Sequence, residues 1–232
     1  MTPSDLLKVR ELALFQSMDN EQFEGVMRAG YLQSFPAHVD LIVEGDSADF
    51  LHVLVEGLVE LFAQSNDRES TIIMVRPATS FILAAVINEA DYLMSARTVD
   101  RSQILMLPAS NIREAFQRDE AFARAIVVEL AVGYRSIVKA YKDVKLRTAL
   151  ERLANCLLRY YREYGNEGLV QLPYDKRTLA SELAMTPEYL SRAFNTLKPY
   201  GVEVEGSKVR LNDIEALTIL AKPNHLIDDS TC

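Results

Sequence analysis

Residues 174–197, YDKRTLASELAMTPEYLSRAFNTL, restrict the fold of this chain more than any other stretch. Thr186 can accept a hydrogen bond from a backbone N–H of the first helical turn, and Pro187 fits the first helical position, where a missing N–H costs nothing. After that start Leu190, Ala193, Phe194 and Leu197 recur at helical spacing and form one buried stripe. Upstream, Asp175 caps a shorter helix that presents Leu179 and Leu183 inward, and Ala184-Met185 makes the turn. Two short helices around a tight turn predict a helix-turn-helix.

The side of the second helix away from the stripe carries Glu188, Ser191, Arg192 and Asn195 near its N-terminal turns, the part of a recognition helix that reaches base edges in the major groove. Arg forks onto guanine O6 and N7, Glu accepts from cytosine N4, and Ser is a short adaptable partner. Glu188, Ser191 and Arg192 are therefore the expected base readers. Lys176, Arg177, Lys198 and Lys208 suit phosphate contacts, which set position without reading sequence, and Thr186, Tyr189 and Asn195 join them as supporting residues. Residues 202–211, VEVEGSKVRL, alternate apolar and polar across a Gly-containing turn and predict a β-hairpin, the wing of a winged helix, with Lys208 at its tip. The competing reading of Glu188 and Arg192 is an exposed i, i+4 ion pair; capped helix, turn, second helix and wing in succession favour DNA reading.

Charge places nucleic acid at one end of the chain. The net charge is −8 over 232 residues, yet residues 1–144 hold 13 Lys or Arg against 21 Asp or Glu, while residues 145–232 hold 12 of each. Phosphates repel the front half and leave the C-terminal half as the DNA face. No stretch reaches the roughly eighteen apolar residues of a membrane span, and no basic flank precedes an apolar N-terminal run, so a cytoplasmic protein is expected. Only Cys156 and Cys232 occur, both expected as reduced thiols.

The length suits one medium domain and a smaller one, an α+β chain in three parts. Residues 1–109 open with short helices, for which Ser4 and Asp19 are plausible caps. Runs such as LHVLV (51–55) and TIIMV (71–75) follow, punctuated by Glu44-Gly45-Asp46, Glu56-Gly57 and Asn66-Asp67. This spacing predicts an antiparallel β barrel or sandwich. Residues 110–144 read as one helix opened by Pro108 and a Ser110 cap. In it Ala123, Ile126, Leu130, Gly133, Ile137, Ala140 and Val144 alternate by 3 and 4, the heptad seam of a two-fold helix pair; packing on the chain's own β domain is the alternative. Residues 145–232 begin with a helix over 149–161 whose face holds Leu150, Leu153, Ala154, Leu157 and Leu158, followed by the loop Gly165-Asn166-Glu167-Gly168 and the helix-turn-helix.

These parts resemble the Crp/Fnr superfamily of transcription regulators over nearly the whole chain. LIVEGDSADFLHVLVEGLVEL (41–61) resembles the family's β-roll signature, with Gly45, Asp46 and Gly57 at turns; residues 110–144 resemble the dimerisation helix; and PEYLSRAF (187–194) resembles the recognition helix. Glu188, Ser191 and Arg192 match the E-x-x-S-R pattern of the branch related to the fumarate and nitrate reduction regulator. The resemblance implies a jelly-roll-like β-roll, a long dimerisation helix and a winged helix-turn-helix. It further implies a homodimer on a two-fold DNA site with TTGAT-like half-sites, RNA polymerase as partner and an activator role. Ala184 stands where the family usually has Gly.

The effector pocket departs from the pattern. Cyclic-nucleotide binders of the family carry a Gly-Glu pair and, ten residues after the Glu, an Arg before Ser or Thr. Here Leu83 and Ala84 occupy the first pair and Met94 precedes Ser95, so both charged anchors are missing. A buried phosphate without a cation is costly, and cyclic AMP is not expected to bind unless Arg97 turns inward to compensate. Ile82, Leu83, Ala84, Tyr92, Met94, Ser95 and Arg97 are the expected pocket, made apolar also by Val86, Ile87 and Leu93. The N-terminal cysteine cluster of the iron–sulfur branch is lacking. The apolar pocket resembles that of nitric-oxide-responsive regulators, some of which use haem, for which His38, His52 and, more remotely, Met94 are the candidate ligands.

Catalysis is not expected: the three His are scattered, there is no phosphate-binding G-x-x-x-x-G-K-[ST], and no metal cluster is visible. A ligand-binding or interaction module that has lost DNA affinity is the alternative of another class, and the E-x-x-S-R set argues against it.

Overall fold

A computed structural model describes residues 3–66, 68–165, 168–173 and 175–229. The chain divides into two compact units, Met1–Tyr134 and Arg135–Cys232.

The first unit opens with helices α1 (Pro3–Arg10) and α2 (Asn20–Arg28). Asp19 caps α2, its side chain accepting from the N–H groups of Glu21 and Gln22. Ser4 lies inside α1 and not at the position before it, where the sequence placed it. Eight strands follow: β1 (Tyr31–Phe35), β2 (Asp40–Ile42), β3 (Phe50–Glu56), β4 (Val59–Ser65), β5 (Arg68–Val75), β6 (Thr79–Phe81), β7 (Ser95–Thr98) and β8 (Ser102–Pro108), with helix α3 (Leu83–Asn88) between β6 and β7. They form two four-stranded antiparallel sheets, ordered β1-β8-β3-β6 and β2-β7-β4-β5. One core joins Leu54 and Ile104 of the first sheet, Leu61 and Ala96 of the second, and Phe23, Met27 and Ile112 from helices. Gly57 is required at its turn: φ is +100°, and a Cβ there would lie 2.3 Å from Ser102 Oγ. The expected turn at Asn66-Asp67 falls partly outside the described residues, since Asp67 is not among them.

The helix expected over 110–144 is two helices, α4 (Ala109–Arg118) and α5 (Glu120–Leu146). Ser110 sits within α4, whose N-cap is Pro108 with no side-chain cap bond. The break is at Asp119, whose backbone is extended. Its buried carboxylate accepts from Phe122 N–H at 2.9 Å, capping α5, and from Asp19 N–H at 2.6 Å. A residue that caps the next helix and also holds a segment 100 positions away favours a break over a continuous helix.

Along α5 the environment changes. Phe122 and Ile126 are buried and Leu130 packs against the first unit's core, so Ile126 belongs to that core and not to an exposed seam. The large apolar residues that α5 exposes are Val127, Val128, Val132, Tyr134, Ile137, Val138, Tyr141, Val144 and Leu146. Gly133 has open space at its Cβ position.

In the second unit Thr148 and Glu151 form a capping box at the start of α6 (Ala149–Tyr164). Leu153, Ala154, Leu157 and Leu158 are buried as their spacing predicts, while Leu150 is half-buried. Cys156 is buried, and burial pushes its thiol up to about 12; Cys232, like Asn166 and Glu167 of the expected loop, lies outside the described residues. Strand β9 (Leu169–Gln171) precedes α7 (Lys176–Glu182), α8 (Pro187–Leu197), a 3₁₀ turn (Lys198–Tyr200), β10 (Val202–Glu205), β11 (Lys208–Leu211), α9 (Ile214–Ala221) and α10 (His225–Asp228). The hairpin is the one expected, extended by β9 into a three-stranded sheet of order β10-β11-β9. Among the described residues no helix is long and apolar enough to cross a membrane.

Candidate nucleic-acid interface

The second helix of the helix-turn-helix is fixed at its base. Asp175 accepts from Thr178 N–H at 2.8 Å at the start of α7, and Thr186 Oγ1 accepts from Tyr189 N–H at 3.2 Å at the start of α8, with Pro187 in the first turn. Leu179, Leu183, Leu190, Ala193, Phe194 and Leu197 are buried between and beneath these helices. The turn runs through Ala184 at φ +51°, a left-handed conformation that glycine adopts without strain and alanine does not.

A charged residue not anticipated from the sequence holds this turn. Arg152, 9% exposed, donates from Nε to the carbonyl of Leu183 at 3.1 Å and from Nη2 to that of Ala184 at 3.4 Å. Its Nη1 reaches the carbonyl of Arg147 at 3.1 Å. One guanidinium thus satisfies carbonyls at the ends of two helices, α7 and α5, which otherwise lack intrahelical partners. The available signal was an arginine inside the buried stretch of α6.

Glu188, Tyr189, Ser191, Arg192 and Asn195 are all exposed on one side of α8. Ser191 Oγ donates to the carbonyl of Pro187 at 3.0 Å, Asn195 Nδ2 to that of Ser191 at 3.2 Å, and Thr196 Oγ1 to that of Arg192 at 3.1 Å. The Glu188 carboxyl is held below the usual carboxylate range by its own backbone N–H, then by the Thr186 hydroxyl and the charge of Arg192. Arg192 makes no hydrogen bond or ion pair among the described residues; its guanidinium carbon lies 5.7 Å from the centroid of the Tyr189 ring. The head therefore presents one anion and one cation in the first two turns of a helix whose N-terminus itself favours phosphate.

The expected phosphate contacts are spread around this head. Lys176 and Arg177 are exposed at the N-terminus of α7, and Lys176 Nζ lies 5.8 Å from the centroid of Phe194. Lys198 follows α8 and is exposed. Lys208 is exposed on the wing, but in the β10–β11 ladder it faces Glu205, as Arg210 faces Glu203. Opposite charges across an antiparallel pair offset each other, so the wing is less cationic than Lys208 alone suggests.

The residues expected at the effector pocket are divided. Leu83 is buried in the first unit's core, and Ile82, Ile87 and Met94 pack against it. Tyr92 is buried and donates to the carbonyl of Phe50 at 3.1 Å, whereas Ala84 and Leu93 are exposed. Ser95 Oγ accepts from Glu44 N–H at 3.0 Å. Arg97 does not turn inward. It faces Glu60 across the β4–β7 ladder, on the side opposite Leu61 and Ala96, and donates from Nε to Glu60 at 2.8 Å and from Nη2 to Glu69 at 2.5 Å. Thr71 donates to the other oxygen of Glu60, and the guanidinium covers the Phe62 ring at 4.3 Å. Strand alternation, which sends Ala96 to the core, sends Arg97 to the other face.

Of the haem-ligand candidates, His38 is exposed at φ +63°. His52 is 5% exposed, stacked on Phe81 at 5.4 Å, with a buried Nδ1 that has no hydrogen-bond partner. Burial lowers its pKa to about 4, against the opposing effect of a hydrogen bond to the Phe50 backbone. Among the described residues no group of three or more His, Cys, Asp and Glu is placed to hold a metal.

A β-roll followed by a long helix and a winged helix-turn-helix with an exposed polar reading face defines a class, that of DNA-binding transcription regulators. The cyclic nucleotide-binding domain family matches residues 32–119, and the Crp-like helix-turn-helix domain family matches residues 151–220. The chain belongs to the Crp/Fnr family of transcription regulators. It is 19% identical over 215 residues to the CRP-like cAMP-activated global transcriptional regulator of Mycobacterium tuberculosis, covering 90% of this chain and 96% of that one. Among solved structures it resembles a regulatory protein of Silicibacter pomeroyi DSS-3 put forward as cAMP-binding, at 26% identity and TM-score 0.60, covering 96% of this chain and all of the other (100%). FixK2 of Bradyrhizobium japonicum shares the fold at TM-score 0.72 and 21% identity, over 84% of this chain and 98% of its own. The Mycobacterium and Silicibacter relatives are described as regulators, in keeping with the expectation that this chain is not an enzyme.

Proposed function

We propose that the chain acts in the cytoplasm as a homodimeric transcription regulator that reads a two-fold site with TTGAT-like half-sites through Glu188, Ser191 and Arg192, and that activates transcription with RNA polymerase. The observation that carries this reading is the E-x-x-S-R set exposed together on a helix capped by Thr186 and backed by Leu190, Ala193, Phe194 and Leu197. The apolar stripe of α5, with Tyr134, Ile137 and Tyr141 exposed, supports a helix-pair dimer. A mobility shift with a palindromic TTGAT duplex tests the DNA reading. The expected result is a shift that Arg192→Ala weakens and makes less selective; no shift at low salt, with or without cell extract, favours the interaction module instead.

The effector in this reading is a small molecule other than cyclic AMP. Leu83, Ala84 and Met94 supply no charge for ribose or phosphate, and Arg97 is engaged with Glu60 and Glu69. The residues present therefore do not fit a cyclic nucleotide bound in the family's usual way, although the Mycobacterium relative is a cAMP-activated regulator and the Silicibacter protein is put forward as cAMP-binding. Isothermal titration with cyclic AMP is expected to show no micromolar binding, and such binding overturns this part. Haem under nitric-oxide control is the second reading, and the buried unpartnered Nδ1 of His52 is the observation that favours it. A sharp Soret shift on haem addition that is lost in His52→Leu supports it; no shift removes it.

A further inference from the structure

The polar groups of the reading face differ in what holds them. Ser191, Asn195 and Thr196 are tied to carbonyls of their own helix, and Glu188 to the N-terminal turn. Arg192, the side chain with most rotamer freedom and the one assigned to guanine, is tied to none of these. Bidentate recognition needs its planar fork held at a defined angle, and an unheld arginine loses that freedom on binding. The group in position to hold it is Tyr189, one turn earlier on the same side, whose ring centroid lies 5.7 Å from the guanidinium carbon. The main chain of Tyr189 is fixed by the hydrogen bond from its N–H to Thr186 Oγ1, and the residue remains 41% exposed although it is large and aromatic. Aromatic faces attract guanidinium both electrostatically and by stacking.

We propose that Tyr189 is a positioning residue of the reading head: its ring face holds the Arg192 guanidinium in the orientation that engages guanine, and so sets base preference through Arg192 without itself reading a base. The proposal rests on the assignment of Arg192 as a base reader. It requires the ring and not the phenol oxygen, so phenylalanine should replace tyrosine and leucine should not.

Fluorescence anisotropy on the TTGAT duplex and on duplexes altered one base pair at a time tests this with the full-length dimer. Tyr189→Ala and Tyr189→Leu should each weaken the unaltered duplex by about two- to five-fold, the range of an exposed cation–π contact. The loss should fall at the base pair whose discrimination disappears in Arg192→Ala, with the salt dependence unchanged. Tyr189→Phe should bind as the parent does. In the Arg192→Ala background Tyr189→Ala should cost nothing further. A loss that persists there, one spread equally over all base pairs, or a Tyr189→Phe that behaves as Tyr189→Ala overturns the positioning role while leaving Arg192 as reader. An Arg192→Ala protein that keeps full base preference overturns both. Unchanged thermal midpoints of the variants exclude a folding defect as the cause.

Discussion

The Arg147 guanidinium grips both carboxylate oxygens of Asp228, at 2.8 and 2.5 Å, and takes Asp143 at 2.8 Å with the same Nη1. The Arg147 and Asp228 side chains are 7% and 12% exposed, and the pair joins the C-terminal end of α5 to α10. Lys139 Nζ adds a hydrogen bond to the carbonyl of Asp229 at 2.7 Å. Removing one partner of a largely buried pair strands the other, so Asp228→Ala should destabilise the second unit by about 3 kcal/mol in chemical denaturation. Burial raises the Asp228 pKa, but hydrogen bonds from Arg147 and the Asn224 N–H outweigh it and hold the group below its ordinary value. The stabilisation is present above that ordinary value and lost as pH falls through the lowered one. Asp228→Ala should therefore flatten the acid limb of the stability profile; an unchanged limb removes the pair from the account.

The two kinds of DNA contact should separate by mutation. Arg192→Ala is expected to cost about 1–3 kcal/mol at one base pair per half-site, whereas Lys208→Ala should weaken all sequences alike and lower the salt slope by about 1. Because Glu205 faces Lys208 across the hairpin, Glu205→Gln should raise affinity for every sequence. Binding isotherms at several salt concentrations check both, and equal losses across sequences for Arg192→Ala would contradict its role.

His52 predicts a second acid-sensitive step, in the first unit. With a folded pKa of about 4 against an ordinary 6.5, the unfolded chain takes up a proton first as pH falls. Stability is full above about 6.5 and declines between there and about 4, by about 3 kcal/mol for a group this deeply buried. Denaturation of His52→Leu should lack that decline; a His52→Leu profile parallel to the parent's would show that the slope arises elsewhere.

Ala184 carries a backbone cost at φ +51° that a glycine in its place would not. Ala184→Gly should raise the unfolding free energy by about 1 kcal/mol, measured by thermal melting, with DNA affinity unchanged. A loss of stability would mean that the methyl group has a packing role.

The exposed stripe of α5 predicts the oligomeric state. Ile137→Glu places a charge in the proposed two-fold seam, and sedimentation should show a monomer with much reduced affinity for the two-fold duplex. A dimer that survives this change would move the interface off the helix.

Local chemistry was readable wherever one short segment settled the outcome. Thr186 and Pro187 fix the start of α8 with atoms two or three residues apart, and the Gly206-Ser207 turn fixes the wing. Long-range packing settled the rest. The break at Asp119 depends on a bond to Asp19 that no window of sequence contains, and Ile126 left the heptad because the first unit's core takes it. The outward direction of Arg97 follows from which residue of β4 it faces, and periodicity carries no register. Arg152 and Asp228 escaped notice for the same reason: the value of a buried charge lies in partners far along the chain.

The three donor atoms of Arg152 lie in one plane and reach three carbonyls, those of Leu183 and Ala184 in the turn before α8 and that of Arg147 just past the end of α5. A flat group tethered at three points does not pivot as a single hydrogen bond does, so within the second unit it serves as the bearing in which the reading helix is mounted. Arg147, clamped in turn by Asp143 and Asp228, is the housing of that bearing. If α8 reads DNA as proposed, play in either guanidinium would blur the aim of Glu188 and Arg192 before any base is met.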